Sequence, residues 1–321
     1  MNIDYNEIVD RLLDMNPDPI PEFVLLKEFK GYAPERAEYQ NAYDRICSHP
    51  FVKRFEKSQN DRGFWSPFHG CTEGVIRHLL SYGLDKNHSL LKNASEYIVK
   101  LLNNEQSLDQ FEKQDNIRWW PETFISLVSA AMLSLIDNAN ENLVMHRNRW
   151  MAFAETAFRK GSYDREINWK TQNEHFGFET KCIIPPFNYY NLLLLSPRGG
   201  GNHISGETDN ALVNYCLNEA SSIGYVYNEK PGEMISINAQ NRDSRDFCHW
   251  VRALSLVAQY TGWTKHEKKY VDWILKQRNR DGLWEFPKKF DFVLSNLWRG
   301  NNKAIDSTIF VLRFLLKKQA F

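Results

Sequence analysis

The stretch Gln277-Arg278-Asn279-Arg280-Asp281-Gly282-Leu283-Trp284 constrains this chain more than any other. It follows an apolar run, Tyr270 to Leu275, that reads as the end of a helix, and Gly282 supplies the backbone freedom to leave it. The same arrangement occurs once before. An apolar run from Phe51 to Phe55 leads into Gln59-Asn60-Asp61-Arg62-Gly63-Phe64-Trp65 and then into a helical pattern from about Thr72 to Tyr82. Two copies of helix, Gln, short polar turn, Gly-x-Trp and helix predict a repeat of paired helices. Gln59, Gly63, Trp65, Gln277, Gly282 and Trp284 are therefore expected to be structural.

The pattern between the copies is helical throughout. Apolar spacing predicts helices near 5–15, 23–29, 37–47, 89–102, 123–136, 141–159, 189–195, 208–220, 245–261, 265–277 and 304–316, with Pro17, Pro19 and Pro21 as breaks. Residues 103–117 and 196–201 read as loops, 161–187 and 221–243 carry no clear pattern, and no strand is expected. The run Thr123 to Ile136 has no charge, so it is expected to be buried on all sides. Strongly apolar segments (123–136, 245–261, 304–316) alternate with amphipathic ones (89–102, 141–159, 265–277). An inner ring of helices inside an outer ring gives this alternation. The expected fold is all-α, an α/α toroid over residues 35–321, preceded by a helical extension over 1–34.

Charge narrows the partners. Forty Lys and Arg balance forty Asp and Glu, with no basic stripe for nucleic acid. No apolar run is long enough to span a bilayer, and the acidic start, Met1 to Tyr5, does not read as a signal peptide. The cysteines (47, 71, 182, 216 and 248) are odd in number and lack CxxC spacing, which fits reduced thiols and a cytoplasmic protein. At 321 residues the chain can bury a large core without disulfides.

Acids and hydroxyls recur together at the expected starts of the inner helices: Thr72-Glu73, Glu122-Thr123, Thr208-Asp209, Asp243-Ser244 and Asp306-Ser307. If those helices run parallel, the acids ring one end and can serve as a general acid or base; an acid at a helix start is equally explained by capping and the dipole. Among the aromatics, Trp119, Trp120, Phe187, Tyr189, Tyr190, Trp250 and Trp298 can form a wall that stabilises a carbocation, stacks on a sugar or holds a prenyl chain, or can be core. Trp119-Trp120, beside Pro121 at a helix entrance, marks the expected pocket mouth. His69, and His203 with Arg198, are further mouth groups. Gly199-Gly200-Gly201 lacks the phosphate-loop frame and reads as a lid. Asp209, Asp243, Asp246 and His249 are the catalytic candidates. Asp246, Cys248 and His249 offer zinc-ligand chemistry, although adjacent Cys and His point about 100° apart on a helix.

The Gln-x(3–4)-Gly-x-Trp copies resemble the QW motif of squalene cyclases, and Asp306-Ser307-Thr308 resembles the start of an inner helix in such repeats. On these residues the chain resembles the α/α-toroid superfamily of squalene cyclases and protein prenyltransferase β subunits, in particular the bacterial prenyltransferase or squalene-oxidase repeat proteins, over residues from about 35 to 320. The resemblance implies a structural clamp, in which each Gln bonds exposed N–H groups at the start of a neighbouring helix with its Trp packed over it, and a central aromatic cavity that binds or acts on an isoprenoid or another small hydrophobic ligand. The Asp-x-Asp-Asp cluster of the cyclases is absent; the nearest run is Asp243-Ser244-Arg245-Asp246. The prenyltransferases hold zinc through Asp-x-Cys and a later His. Here Asp246-Phe247-Cys248 keeps that spacing, but His249 is adjacent and the only later histidine is His266. No cofactor is obvious from the sequence: zinc is what the prenyltransferase resemblance implies, zinc or magnesium stays open, and the α subunit those enzymes require is not visible in this chain. Two other readings stay open: a carbohydrate-active toroid enzyme (glycoside hydrolase or lyase), and a non-catalytic binding or scaffold protein.

Overall fold

The computed structural model describes residues 4–105, 119–179, 182–198, 204–220, 223, 244–291 and 293–317, with the backbone alone for 244–246. Its regular elements are helices, and no β-strand occurs among the described residues. In chain order they are α1 (Tyr5–Asp14), α2 (Pro19–Val24), α3 (Ala37–Cys47), α4 (Pro50–Ser58), α5 (Glu73–Ser81), α6 (Ser89–Leu102) and α7 (Ser126–Ile136). They continue with α8 (Val144–Phe158), α9 (Arg165–Phe176), α10 (Tyr189–Leu194), α11 (Gly206–Asn218), α12 (Ser244–Val257), α13 (Glu267–Leu275) and α14 (Asn301–Leu315). None is long and apolar enough to cross a membrane among the described residues.

Local chemistry accounts for the helix starts. Asp4 accepts from the amides of Asn6 (3.0 Å) and Glu7 (3.2 Å), and so caps α1. Pro19 and Pro21, expected to break the chain, instead open α2. They occupy its first turn, where a missing N–H leaves nothing unpaired, and the helix runs on through a wider turn to Phe29. Helix α9 falls where no pattern was expected. Its buried positions are polar: Asn168 and Gln172. Gln172 accepts from Ile184 N (3.2 Å) and donates to Ile184 O (2.7 Å), pairing a side-chain amide with the backbone of one residue.

The apolar segments of α7 and α14 are buried on nearly all sides. Leu127, Val128, Ala130, Ala131, Met132 and Leu133 of α7 are each 0% exposed. Every residue of α14 from Ala304 to Phe314 is buried. Burying each such Leu, Ile or Phe contributes on the order of 1.5–3 kcal/mol. Helix α7 packs on α5, α6 and α10; α10 packs on α12, α12 on α14, and α14 on α2. The order then returns to its start. Arg313 of α14 donates to Ser81 O at the end of α5 (2.7 Å) and grips Glu28 with two bonds (2.9 and 2.7 Å). The N-terminal helices are tied in at the same place, where Lys27 donates to Gly83 O (2.7 Å).

The two copies of the repeat have one geometry, and its hub is not the Gln. Asn60 Oδ1 accepts from Arg62 N (3.0 Å) and Phe64 N (3.2 Å); Asn279 Oδ1 accepts from Asp281 N (2.9 Å) and Leu283 N (3.1 Å). The indole of Trp65 donates to Phe55 O and that of Trp284 to Ile274 O, both at 2.9 Å. The backbone N–H of Trp65 donates to Thr72 Oγ1 (2.8 Å) and that of Trp284 to Thr308 Oγ1 (3.1 Å). The shared frame is therefore Asn-x-x-Gly-x-Trp followed by a Thr on the next helix. The Gln residues differ. Gln59 donates across to Leu90 O of α6 (3.0 Å), whereas Gln277 donates to Trp273 O in its own helix (3.3 Å). Both bonds go to carbonyls, so the expected bonding to a neighbouring helix's N–H groups is not what either Gln makes.

Candidate functional site

The joint just described fixes the residue on which the polar site is built. Thr72, held by Trp65, is followed by Glu73, the first residue of α5. Before it the chain is bent: His69 is extended (φ −69°, ψ 126°) and Gly70 has φ 91°, a conformation that side chains other than glycine's resist. This bend folds His69 back, so that its Nδ1 lies 3.2 Å from Glu73 Oε2. Arg77, one turn along α5, donates to Glu73 Oε1 at 3.2 Å. Tyr190 on α10 donates its hydroxyl to Glu73 Oε2 at 3.0 Å.

Glu73 is 4% exposed. Burial pushes its carboxyl up, but the His69 bond, the Arg77 charge and the Tyr190 hydroxyl outweigh it and hold the group below the ordinary range. Glu73 is thus an ionised carboxylate at neutral pH. Burial and then the Glu73 charge push the Tyr190 phenol upwards, so Tyr190 stays a donor.

The rest of the site is aromatic. His69 meets the ring edges of Phe124 (5.2 Å between centroids) and Trp120 (5.7 Å). Trp119 stacks on Phe124 at 5.6 Å, and Phe124 meets Tyr190 edge-on at 5.7 Å. The half-buried Trp119 and Trp120 stand at the turn Trp120–Ile125 that leads into α7. Arg77 lies over the ring of Tyr189, 5.4 Å from its centroid. The starts of α5, α7 and α10 therefore meet here. Five of the residues expected to line a pocket, His69, Trp119, Trp120, Tyr189 and Tyr190, gather around Glu73.

The other candidates lie elsewhere. Asp209, 1% exposed, accepts from Gly262 N (2.6 Å) and Thr261 N (3.1 Å), so both oxygens cap the short turn before α13. Asp306 is not at a helix start but in the second turn of α14. It accepts from Leu294 N (3.1 Å), Ser295 N (3.0 Å) and Ser295 Oγ (2.7 Å), and burial pushes its carboxyl up to about 6. Trp250, 0% exposed, packs edge-on against Trp273 at 4.9 Å in the core. Arg198 donates to Leu193 O (2.7 Å) near the ends of α7 and α10. Glu122 is exposed. Asp243, His203 and Gly199–Gly201 lie outside the described residues, as does the side chain of Asp246.

Of the zinc candidates, the side chains of Cys248 and His249 are described and that of Asp246 is not. Among the described residues no three His, Cys, Asp or Glu side chains are placed to hold a metal ion. Cys248 is buried, and burial pushes its thiol up to about 12. Its neighbour His249 faces Asp291 instead, 3.8 Å away.

Two members of the site were not among the residues expected to act, Arg77 and Phe124, and Glu73 stood only as one acid of the ring. A signal was present: Glu73 and Arg77 are four apart on a helix, where opposite charges meet. Compared with protein-family models, curated proteins and solved structures, the chain matches none.

Proposed function

We propose that this protein is an α/α toroid whose site at His69 and Glu73 performs general acid–base chemistry on a small molecule held against the Trp119–Trp120–Phe124 wall. The observation that carries the reading is the Glu73 carboxylate, buried yet bonded to three side chains rather than to backbone. A carboxylate so held fixes the orientation of His69 and stabilises its protonated form, which is what a proton-transferring imidazole requires. The imidazole is partly exposed (side chain 28%), so a ligand can reach it. The toroid reading is supported by the packing order α5, α7, α10, α12, α14 and by the return bond from Arg313 to Ser81.

Kinship with squalene cyclases and prenyltransferases, and with it an isoprenoid ligand, rests on the two motif copies. An aromatic wall suits an unsaturated chain or a sugar ring equally. Two-carboxylate glycoside hydrolysis draws less support, because Asp209 and Asp306 direct their oxygens to backbone amides.

Native mass spectrometry of the purified protein tests the reading. A retained small molecule is expected, and rebinding it should quench tryptophan fluorescence in the wild type but not in Trp120→Leu at an unchanged melting temperature. Identical binding by His69→Gln, Trp120→Leu and wild type would place the ligand elsewhere and refute the proposal.

A further inference from the structure

We infer that the cleft between α8, α11 and the start of α13 is a second binding site, one that takes a small hydroxyl-bearing molecule through its phosphate group. None of its residues belongs to the site at Glu73.

The cleft encloses about 640 Å³, within the range of small-molecule sites. Arg159 and Gly161 line it from the end of α8, Glu207, Asn210 and Asn214 from α11, and Lys265 and His266 from the approach to α13. These elements are fixed to one another. Asp209 on α11 takes the amides of Thr261 and Gly262. A Cβ at Gly262 would come within 3.0 Å of Asn210 Cα, so the turn that bears Lys265 sits hard against α11. Helix α8 packs on α11, and beyond Gly161 the amide of Asp164 bonds Ala157 O (2.9 Å).

The charges in the cleft are unanswered, unlike those beside it. Lys160 pairs with Asp164 (3.5 Å) and Glu267 with Lys317 (3.1 Å). Arg159, Lys265 and Glu207 make no ion pair among the described residues, so two cations stand with one acid. Position makes the cations unequal. Arg159 follows the C-terminus of α8, where the helix dipole favours a positive charge; Lys265 and His266 precede the N-terminus of α13, where it opposes one. That N-terminus has no side-chain cap, so its first amides add to the positive field. Burial, and then the charges of Lys269 and Lys265, draw the His266 imidazole below its ordinary 6.5.

A phosphate answers this field with oxygens for several donors at once, and a guanidinium meets it through two parallel N–H bonds. The body of the ligand is polar, because the cleft offers it amides. Asn210 donates Nδ2 to Gly206 O (2.6 Å) and keeps Oδ1 as an acceptor; Asn214 accepts from Asn218 with Oδ1 (2.8 Å) and keeps Nδ2 as a donor. With the Glu207 carboxylate these groups suit hydroxyls. The apolar side chains in the cleft are Phe158, itself 2% exposed, and Ala211, too little surface to hold a hydrocarbon body.

Isothermal titration calorimetry with glucose-6-phosphate, glycerol-3-phosphate, inorganic phosphate and glucose tests the inference. At least one of the two esters is expected to bind about tenfold or more tightly than either glucose or inorganic phosphate. Arg159→Met and Lys265→Met should each weaken that ester about tenfold, and Lys265→Arg should retain it. Both side chains are exposed, so these variants should fold as the wild type does. In an NMR titration the bound ester should raise the His266 midpoint, countering Lys265 and Lys269 while Glu267 stays with Lys317. Trp120→Leu should bind the ester as the wild type does; a loss there would overturn the claim of a second site. Inorganic phosphate binding as tightly as the esters would overturn the hydroxyl-bearing body, and glucose binding as tightly would overturn the phosphate. No binding by any of the four probes, or ester binding unchanged in Arg159→Met and Lys265→Met, would overturn the inference.

Discussion

Replacing Glu73 by Gln tests how the centre of the site is held. The exchange keeps the shape of the side chain and removes its charge. His69 at 3.2 Å and Arg77 at 3.2 Å lose an ionised partner, and one of the three donors, Tyr190 included, meets an amide N–H₂ instead of an oxygen. Hydrogen bonds to charged groups contribute about 1.5–3 kcal/mol each, and removing one side of a buried ion pair costs on the order of 3–5 kcal/mol. Arg77 and His69 are both partly exposed, and water can answer part of the loss, so the lower part of that range applies. The expected loss is about 2–4 kcal/mol at pH 7, or roughly 3–6 °C in melting temperature for a chain of this size. Acid should erase the difference. The Glu73 carboxyl lies below its ordinary 4.5 in the folded protein. The stability it contributes is therefore fully present above pH 4.5 and is lost as pH falls through the folded value. Denaturant midpoints of wild type and Glu73→Gln, measured from pH 7 downwards, should converge on the acid side. In a double-mutant cycle Tyr190→Phe should be sub-additive with Glu73→Gln, since the phenol has lost its charged acceptor in the second background. Equal stability at pH 7, or a gap that does not narrow in acid, would refute the claim that Glu73 is an ionised hub.

Three further outcomes follow from the joints and the buried imidazoles. Gly63 and Gly282 both have positive φ (90° and 72°), but a Cβ at Gly63 would sit 2.6 Å from Asn93 O whereas one at Gly282 meets nothing. Gly282→Ala should therefore cost about 1–2 kcal/mol of left-handed strain and Gly63→Ala clearly more, read from urea unfolding. Trp65→Ala and Trp284→Ala should each lose about 3–5 kcal/mol and match within about 1 kcal/mol, because the two indoles make the same bond to a carbonyl ten residues back; a loss of ligand binding by Trp284→Ala at an unchanged melting temperature would contradict its structural role. Burial draws His78 and His146 from 6.5 down to about 4, so the fold favours their neutral forms and loses stability as pH falls from 6.5 through 4. By linkage this is on the order of 3 kcal/mol for each imidazole, and His146→Gln should flatten the acid limb of an unfolding series between those values.

The helices were legible because their cause is local. Apolar spacing marks α3 and α6 to the residue, and the lack of charge in α7 announces burial on every side. What escaped depends on partners far along the chain. Helix α9 has no apolar stripe because the face it buries bonds Ile184, so its pattern is polar for a reason that only the fold supplies. The repeat was found through Gln, Gly and Trp, yet its hub is Asn, three residues before each Gly, because Asn can accept from two backbone amides of one tight turn. The second copy is harder to see past its Trp. Trp65 reaches a Thr seven residues on, and Trp284 one twenty-four residues on, with the intervening chain folded over α14 and pinned by Asp306.

The ring of acids shows where such reasoning stops and what replaces it. At the sequence level Glu73, Asp209 and Asp306 are alike: an acid beside a hydroxyl near the start of an apolar helix. In the fold, two of them meet backbone amides or a serine hydroxyl, and one meets side chains alone. A backbone amide is fixed and carries no proton that changes hands, so Asp209 and Asp306 hold turns in place. An imidazole, a guanidinium and a phenol are different partners, since they can be shared with, or handed to, a bound molecule. The difference arises from the bend at His69 and Gly70, which returns an imidazole to the acid four residues on, and from α10, which presents Tyr190 from across the packing order. It also makes a prediction about exchange. Moving the acid by one methylene, Glu73→Asp, should leave the ion pair with Arg77 reachable by rotamer change but withdraw the carboxylate from Tyr190. Ligand-induced quenching should then weaken more than stability does. If Glu73→Asp lost stability as Glu73→Gln does while quenching stayed intact, Glu73 would be one more structural acid and the site would have to be sought elsewhere.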